Sequence, residues 1–219
     1  MSKEVSIDII KRIVKEAGAI WKRVRKSLKS KRDEEEFAQC KWELEDLQEQ
    51  ADDGLIDLRY FDIAGISLDP VIPYAWHLGK VTIEIEAAKS KRLNILGFMN
   101  TDNELVSNIF DGSINSHLVI ECFNIVCETI TKKTDVVLDN APIHTSDEFQ
   151  EYIEEWQKKG LYVKFLPDYS PELNLIEILW RKLKYEWLPF SAYQSIKALE
   201  NALCYILANV GSKYQISFT

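Results

Sequence analysis

The chain has 219 residues, 46% of them hydrophobic and 28% charged, which suits one full domain with an appendage and excludes a broadly disordered chain. Its net charge of −8 is unevenly spread: residues 1–32 hold eleven Lys/Arg against three Asp/Glu, or +8, and the other 187 residues carry −16. No apolar run reaches the roughly 18 residues of a membrane helix, and the opening MSKEVSIDIIKRIVKEAG has neither the apolar core nor the cleavage pattern of a signal peptide.

In chain order, Val5, Ile9, Ile10, Ile13, Val14 and Ala17 share one face of a helix predicted over 5–17, with Gly18 as its C-cap. The next stretch, AIWKRVRKSLKSKR, mixes Trp21 and Val24 with Lys22, Arg23, Arg25, Lys26, Lys29, Lys31 and Arg32, as a phosphate-contacting arm would. A basic arm on an acidic body points to a polyanionic partner, with a plainly solvated helix as the alternative. Residues 33–53 hold ten acids and one lysine, with Phe37, Cys40, Trp42, Leu44 and Leu47 as an imperfect apolar seam, and read as a connecting helix ended by Gly54.

From Leu55 the pattern changes to strands alternating with helices. IDLRYFDIAGI (56–66), RLNILGFMN (92–100) and ELVSNIFDG (104–112) read as three strands, the last two joined by a hairpin turn. SHLVIECFNIVCETI (116–130) has helical spacing, and VVLDN (136–140) is short and apolar enough for a central strand. Residues 146–160 form a helix with a Ser cap, early acids, late lysines and a terminal glycine. LYVKFLP (161–167) is a fifth strand, and helices over 172–188 and 193–211 follow, the last capped by Gly211. An antiparallel meander followed by helical crossovers gives a mixed five-stranded α/β sheet flanked by helices, with an N-terminal helical extension. The expected divisions are a basic region at 1–32, an acidic connecting helix at 33–54 and an α/β domain at 55–219. Cys40, Cys122, Cys127 and Cys204 form no CxxC pair or zinc-finger spacing, so free thiols in a reducing cytoplasm are expected.

Three acids stand out by position: Asp62 in RYFDIAG, Asp139 at the end of VVLDN, and Glu177 in NLIEILW. Charges in such apolar company are costly unless paired or bound to metal. If the first and fourth strands are neighbours, Asp62 faces Asp139, and a helix crossing the sheet can add Glu177. Clustered carboxylates repel, and raised pKa values or divalent cations relieve them. An all-oxygen site favours magnesium or manganese, and two such ions about 4 Å apart serve phosphoryl transfer. The bland alternative, an Asx-turn at Asp139 and a solvent-facing Glu177, stays open on pattern alone.

LDNAPIHTS (138–146) and FLPDYSPELNLIEILWRKLK (165–184) resemble the core signature of mariner-like DDE superfamily transposases, on their bacterial insertion-sequence branch. YFDIAGISLDP (60–70) is similar to the family's first-acid motif and YAWHLGK (74–80) to a segment downstream of it, and 37 residues separate Asp139 from Glu177. The resemblance implies an RNase H-like catalytic core with Asp62, Asp139 and Glu177 as its metal-binding triad and Mg²⁺ or Mn²⁺ as cofactor, two ions per site. It implies double-stranded DNA as partner, both transposon ends and target, a homodimer in the active complex, and a place in the cytoplasm on a bacterial or archaeal nucleoid. Around the triad, Asn140 orients Asp139, binds DNA or shapes a turn; His144 meets a phosphate or water, or is a core or capping histidine. Tyr169 shapes the loop and could stack on DNA, Asn174 is expected to cap the helix bearing Glu177, and Arg181, Lys182 and Lys184 form a basic face toward phosphates or solvent. Lys22, Arg23, Arg25 and Lys26 form the DNA-binding arm. Leu175 and Asp168 stand where the family usually has proline, and SIDIIKRIVKEAGAIWKRVRKSL resembles only the end of the family's helix-turn-helix region, as in a truncated copy, the second frame of a split gene or a trimmed chain. Two other classes remain: a non-catalytic protein that binds DNA or a full-length partner, and a structure-selective RNase H-like nuclease.

Overall fold

The computed structural model describes residues 6–18, 29–69 and 91–218. Lys22, Arg23, Arg25 and Lys26, and the stretch 74–80, lie outside the described residues. The chain divides into two compact units, Met1–Ser30 and Lys31–Thr219. In the first, helix α1 (Ile7–Glu16) begins at Ser6, whose hydroxyl accepts from the Ile9 N–H, and leaves Ile7, Ile10 and Ile13 exposed.

In the second unit, α2 (Glu34–Asp52) starts at Asp33, whose carboxylate accepts from the Glu35 and Glu36 N–H groups. Cys40 and Leu44 bury against the sheet, with Phe37 and Leu47 half-buried beside them. Trp42, expected in that seam, is 67% exposed; two residues past Cys40 is about 200° around the helix, the opposite face.

The sheet has five strands: β1 (Asp57–Ser67), β2 (Arg92–Met99), β3 (Leu105–Asp111), β4 (Thr134–Leu138) and β5 (Leu161–Phe165). Their order is β3-β2-β1-β4-β5. The pairs β1–β2 and β2–β3 are antiparallel, and β1–β4 and β4–β5 are parallel, so the expected meander and crossovers both form. The crossover helices are α3 (Ser116–Thr129) and α4 (Asp147–Lys159). Ser146 caps α4 through its hydroxyl, and Gly160, at φ 97°, ends it in a conformation that only glycine adopts freely.

Strand alternation sorts the two faces. Leu58, Tyr60, Ala64 and Val137 face one core with α2, α5 (Ile176–Lys182) and α6 (Ile196–Leu207). Phe61, Phe98, Val136 and Leu138 face the other, with Phe123 of α3 and Phe149 and Trp156 of α4. Those aromatics interlock at centroid distances of 4.6–5.2 Å, and each fully buried ring contributes about 2–3 kcal/mol.

Two predicted helices are shorter than their patterns. The 172–188 segment is broken into a 3₁₀ turn (Pro171–Leu173), α5 and a π-helical turn (Leu183–Trp187). The 193–211 segment becomes a 3₁₀ turn (Phe190–Gln194) and α6, whose start is set by the Ser195 hydroxyl accepting from the Ala198 N–H. Helix α6 ends at Ala208, and Gly211 sits beyond it in a left-handed turn at φ 82°.

Candidate active site

Asp62 shares alternation with Tyr60 and Ala64, so it belongs to the face crossed by α5. The parallel register pairs Tyr60 with Val137, and two further steps set Asp62 beside Asp139. Strand β4 ends at Leu138, so Asp139 is the first residue past its C-terminal end rather than inside it. Helix α5 brings Glu177 down in its first turn. The three acids line one cleft of about 290 Å³ with Asn140, Tyr169 and Asn174.

Gly97 makes the approach of α5 possible, and its role was missed in the sequence. It pairs with Asp62 across the β1–β2 ladder. A Cβ at that position would lie 2.9 Å from the Trp180 ring and 3.2 Å from Ile176 Cδ1. The helix therefore packs onto bare backbone directly opposite Asp62. A lone glycine in an apolar strand is the signal that could have found it.

The cleft's electrostatics follow from burial and mutual repulsion. Asp62 is pushed up to about 7, chiefly by burial, then by the charges of Glu177 and Asp139. The buried Trp180 indole N–H lies close enough to Asp62 to offset a little of this without reaching hydrogen-bond geometry. Glu177 is also raised, by burial first, with Lys184 opposing and Asp139 adding repulsion. Asp139 is lowered, because His144 hydrogen-bonds to it and outweighs desolvation.

His144 is a buried histidine with an assigned partner, not one reaching for phosphate. Its Nδ1 lies 2.8 Å from Asp139 Oδ1 and 3.2 Å from the Asp139 carbonyl, while Nε2 is buried without a hydrogen bond. Donation from Nδ1 to Asp139 satisfies this arrangement. Its edge packs against Phe61 at 5.4 Å. Asp139 Oδ1 also accepts from the Ala141 N–H at 3.2 Å, so the Asx-turn and a cleft-facing carboxylate coexist.

Asn140 donates to the Leu166 carbonyl at 2.9 Å, tying the turn after β4 to the end of β5. Asn174 does not cap α5. The cap position is Leu175, and the Asn174 amide instead donates to the Phe61 carbonyl at 2.9 Å, one residue before Asp62. That loop-to-strand bond satisfies a buried carbonyl of β1. The Asn174 Oδ1 stays buried without a hydrogen bond. Tyr169 is exposed and held at φ 58°, a left-handed conformation that costs a non-glycine residue about 1 kcal/mol. The charge of Lys184 lowers the pKa of Glu177 without an ion pair between them among the described residues, whereas Lys182 pairs with Glu186 at 2.7 Å. Arg181 is exposed on α5 and does not line the cleft.

Among the described residues no three His, Cys, Asp or Glu side chains are gathered tightly enough to close round a single ion. The donors are nonetheless all oxygen, partly dehydrated and mutually repelling, which fits hard divalent cations spread along the cleft. Among the described residues no helix is long and apolar enough to cross a membrane.

No curated protein sequence matches the chain significantly. Among solved structures, the mariner Mos1 paired end complex with Mg is similar at a TM-score of 0.61 and 15% identity, covering 93% of this chain and 64% of that one. The Mos1 strand transfer complex follows at 0.58 and 16%, covering 93% and 63%. The catalytic domain of Mos1 mariner transposase aligns at 0.55 and 15%, covering 85% of each chain. The chain thus spans about 63% of the length of the Mos1 chains in these complexes. Likeness at such identity establishes the fold, a mixed five-stranded RNase H-like sheet flanked by helices. A family model described as DDE superfamily endonuclease matches residues 57–200, well over half of the chain, and the chain belongs to that superfamily.

Proposed function

We propose that the chain is a transposase of the bacterial insertion-sequence branch, cutting DNA at transposon ends and transferring the freed strand to target DNA. The observation that carries this is the convergence of Asp62 of β1, Asp139 just past β4 and Glu177 of α5 on one cleft. The carboxylates would hold Mg²⁺ or Mn²⁺, two ions per site. Bound there, the pair would activate an attacking oxygen and stabilise a leaving one. Asp62, the most buried of the three, would hold the ions together with Asp139 and Glu177. His144 and Ala141 fix one oxygen of Asp139 and leave Oδ2 without a protein partner among the described residues.

The first reaction joins a water oxygen to phosphorus, breaks the bond to the 3′-oxygen, and protonates that oxygen. In the second, the freed 3′-hydroxyl attacks a target phosphodiester, loses its proton and displaces another 3′-oxygen. Both are in-line displacements at phosphorus, so one cleft suffices. Lys184, the exposed Tyr169 ring and the segment with Lys22, Arg23, Arg25 and Lys26 would supply phosphate and base contacts. Two copies would pair two DNA ends, in the cytoplasm on the nucleoid.

The test is nicking of supercoiled plasmid by the purified chain in Mg²⁺ or Mn²⁺, with an EDTA control and the Asp139→Asn variant. Cleavage that requires metal and is lost by at least about 10³-fold in the variant is expected. Equal cleavage by Asp139→Asn sinks the proposal. A folded wild-type protein that binds DNA but never cuts it, in either metal, would mark a non-catalytic descendant.

A further inference from the structure

Arg32 ends the basic stretch, yet it does not face solvent. Its side chain is only 10% exposed. Nη2 donates to both Glu34 carboxylate oxygens, at 2.9 and 2.8 Å, and Nε donates to Oε1 at 3.2 Å. The guanidinium stacks over the Phe37 ring at 3.7 Å. Glu34 and Phe37 both belong to the first turn of α2, so that turn and Arg32 form one rigid socket.

The remaining fork of the guanidinium reaches 140 residues along the chain. Nη1 donates to Glu172 Oε1 at 2.8 Å. Glu172 sits in the 3₁₀ turn Pro171–Leu173, in the loop that leads into α5 and Glu177. That loop is pinned again at Asn174, whose amide donates to the Phe61 carbonyl, and by the buried Leu173 side chain. Glu177 is thus set five residues past one anchor and three past the other. A planar guanidinium is suited to this, because it can serve two carboxylates and an aromatic face at once.

We propose that Arg32 is a positioning residue for the loop that leads into α5, holding Glu172 so that Glu177, in the first turn of that helix, stands over the cleft. The inference rests on the proposed function, since it assigns a role within that same site. It also gives the last cation of the basic stretch a task other than phosphate contact. A residue at the foot of the DNA-contacting segment would then set the geometry of the catalytic loop.

The experiment uses the full chain with Arg32→Ala, Arg32→Lys, Glu172→Gln and the double variant Arg32→Ala/Glu172→Gln. Mn²⁺ affinity without DNA is read by electron paramagnetic resonance, and kcat and KM for plasmid nicking are read at a temperature well below each melting point. Arg32→Ala and Glu172→Gln should each weaken Mn²⁺ binding and lower kcat about tenfold, the lower end for losing a group that orients a metal ligand. KM for DNA should stay unchanged, the double variant should be no worse than either single one, and Arg32→Lys should recover only part. Unchanged Mn²⁺ affinity and kcat would overturn the inference. So would a loss confined to DNA affinity with a shallower salt dependence, which marks a phosphate contact, or additive losses in the double variant. If the wild-type protein neither binds Mn²⁺ nor cuts DNA, the proposed function itself fails and takes this inference with it; normal wild-type behaviour with silent variants fails the inference alone.

Discussion

Asp62→Asn should stabilise the metal-free protein at alkaline pH. Folding moves the Asp62 carboxyl from 3.8 to about 7, through burial first and then repulsion from Glu177 and Asp139. An acid raised in this way supports the fold below its unfolded pKa, and that support is lost as pH rises through the folded value. The window therefore runs from 3.8 to about 7. A shift of that size corresponds to about 4 kcal/mol between protonation states if it belonged to one group. Because the three acids titrate together, about 2 kcal/mol is the share expected for Asp62 alone. Urea unfolding in EDTA should show the stability gap between variant and wild type widening by that amount from pH 4 to pH 8, at equal m-values. Added Mg²⁺ should close the gap, since cations in the cleft remove the repulsion that the amide relieves. A gap that stays flat with pH, or favours the wild type more at pH 8, refutes the reasoning about a strained acid cluster.

Gly97→Ala should destabilise the fold by about 1–3 kcal/mol, since its Cβ must displace Trp180 or lift α5. Nicking should fall with it, measured beside the urea midpoint, whereas an unchanged midpoint would mean that α5 does not need the bare backbone. His144→Phe keeps the ring among Phe61 and Phe149 but removes the hydrogen bond to Asp139. Asp139 then loses the interaction that lowers its pKa, so the acid limb of the nicking profile should move to higher pH. Activity should drop about tenfold, and an unmoved acid limb would contradict His144's assignment.

Part of the candidate site is legible in the sequence: position in the strand and helix patterns singles out the three acids, and the resemblance to DDE transposases implies that they belong together. The apolar run before Asp139 announces a buried strand, whereas the adjacency of β1 and β4, open on the pattern alone, comes from the fold. What stayed hidden depends on contacts between distant parts of the chain. Asn174 looks like a helix cap in its local context, but its partner is the Phe61 carbonyl 113 residues away. The pattern over 172–188 is apolar enough for one long helix, yet Pro171 and the anchored loop delay α5 until Ile176. Hydrophobicity alone puts Trp42 in the seam, although the spacing of Cys40, Leu44 and Leu47 points to another face. Arg32 reads as one more cation of the arm; Glu34 and Phe37 are close by in sequence, but its bond to Glu172, 140 residues away, is not legible there. His144 is the mixed case: its motif marked it as near the chemistry, while its partner, Asp139 Oδ1, required the turn geometry.

The most direct measurement is the anomalous scattering of manganese in crystals of the protein soaked with Mn²⁺. The account predicts two peaks roughly 4 Å apart, one between Asp62 and Asp139 and the other between Asp62 and Glu177. Peaks elsewhere on the acidic surface, or a cleft that stays empty of metal at saturating Mn²⁺, would contradict it.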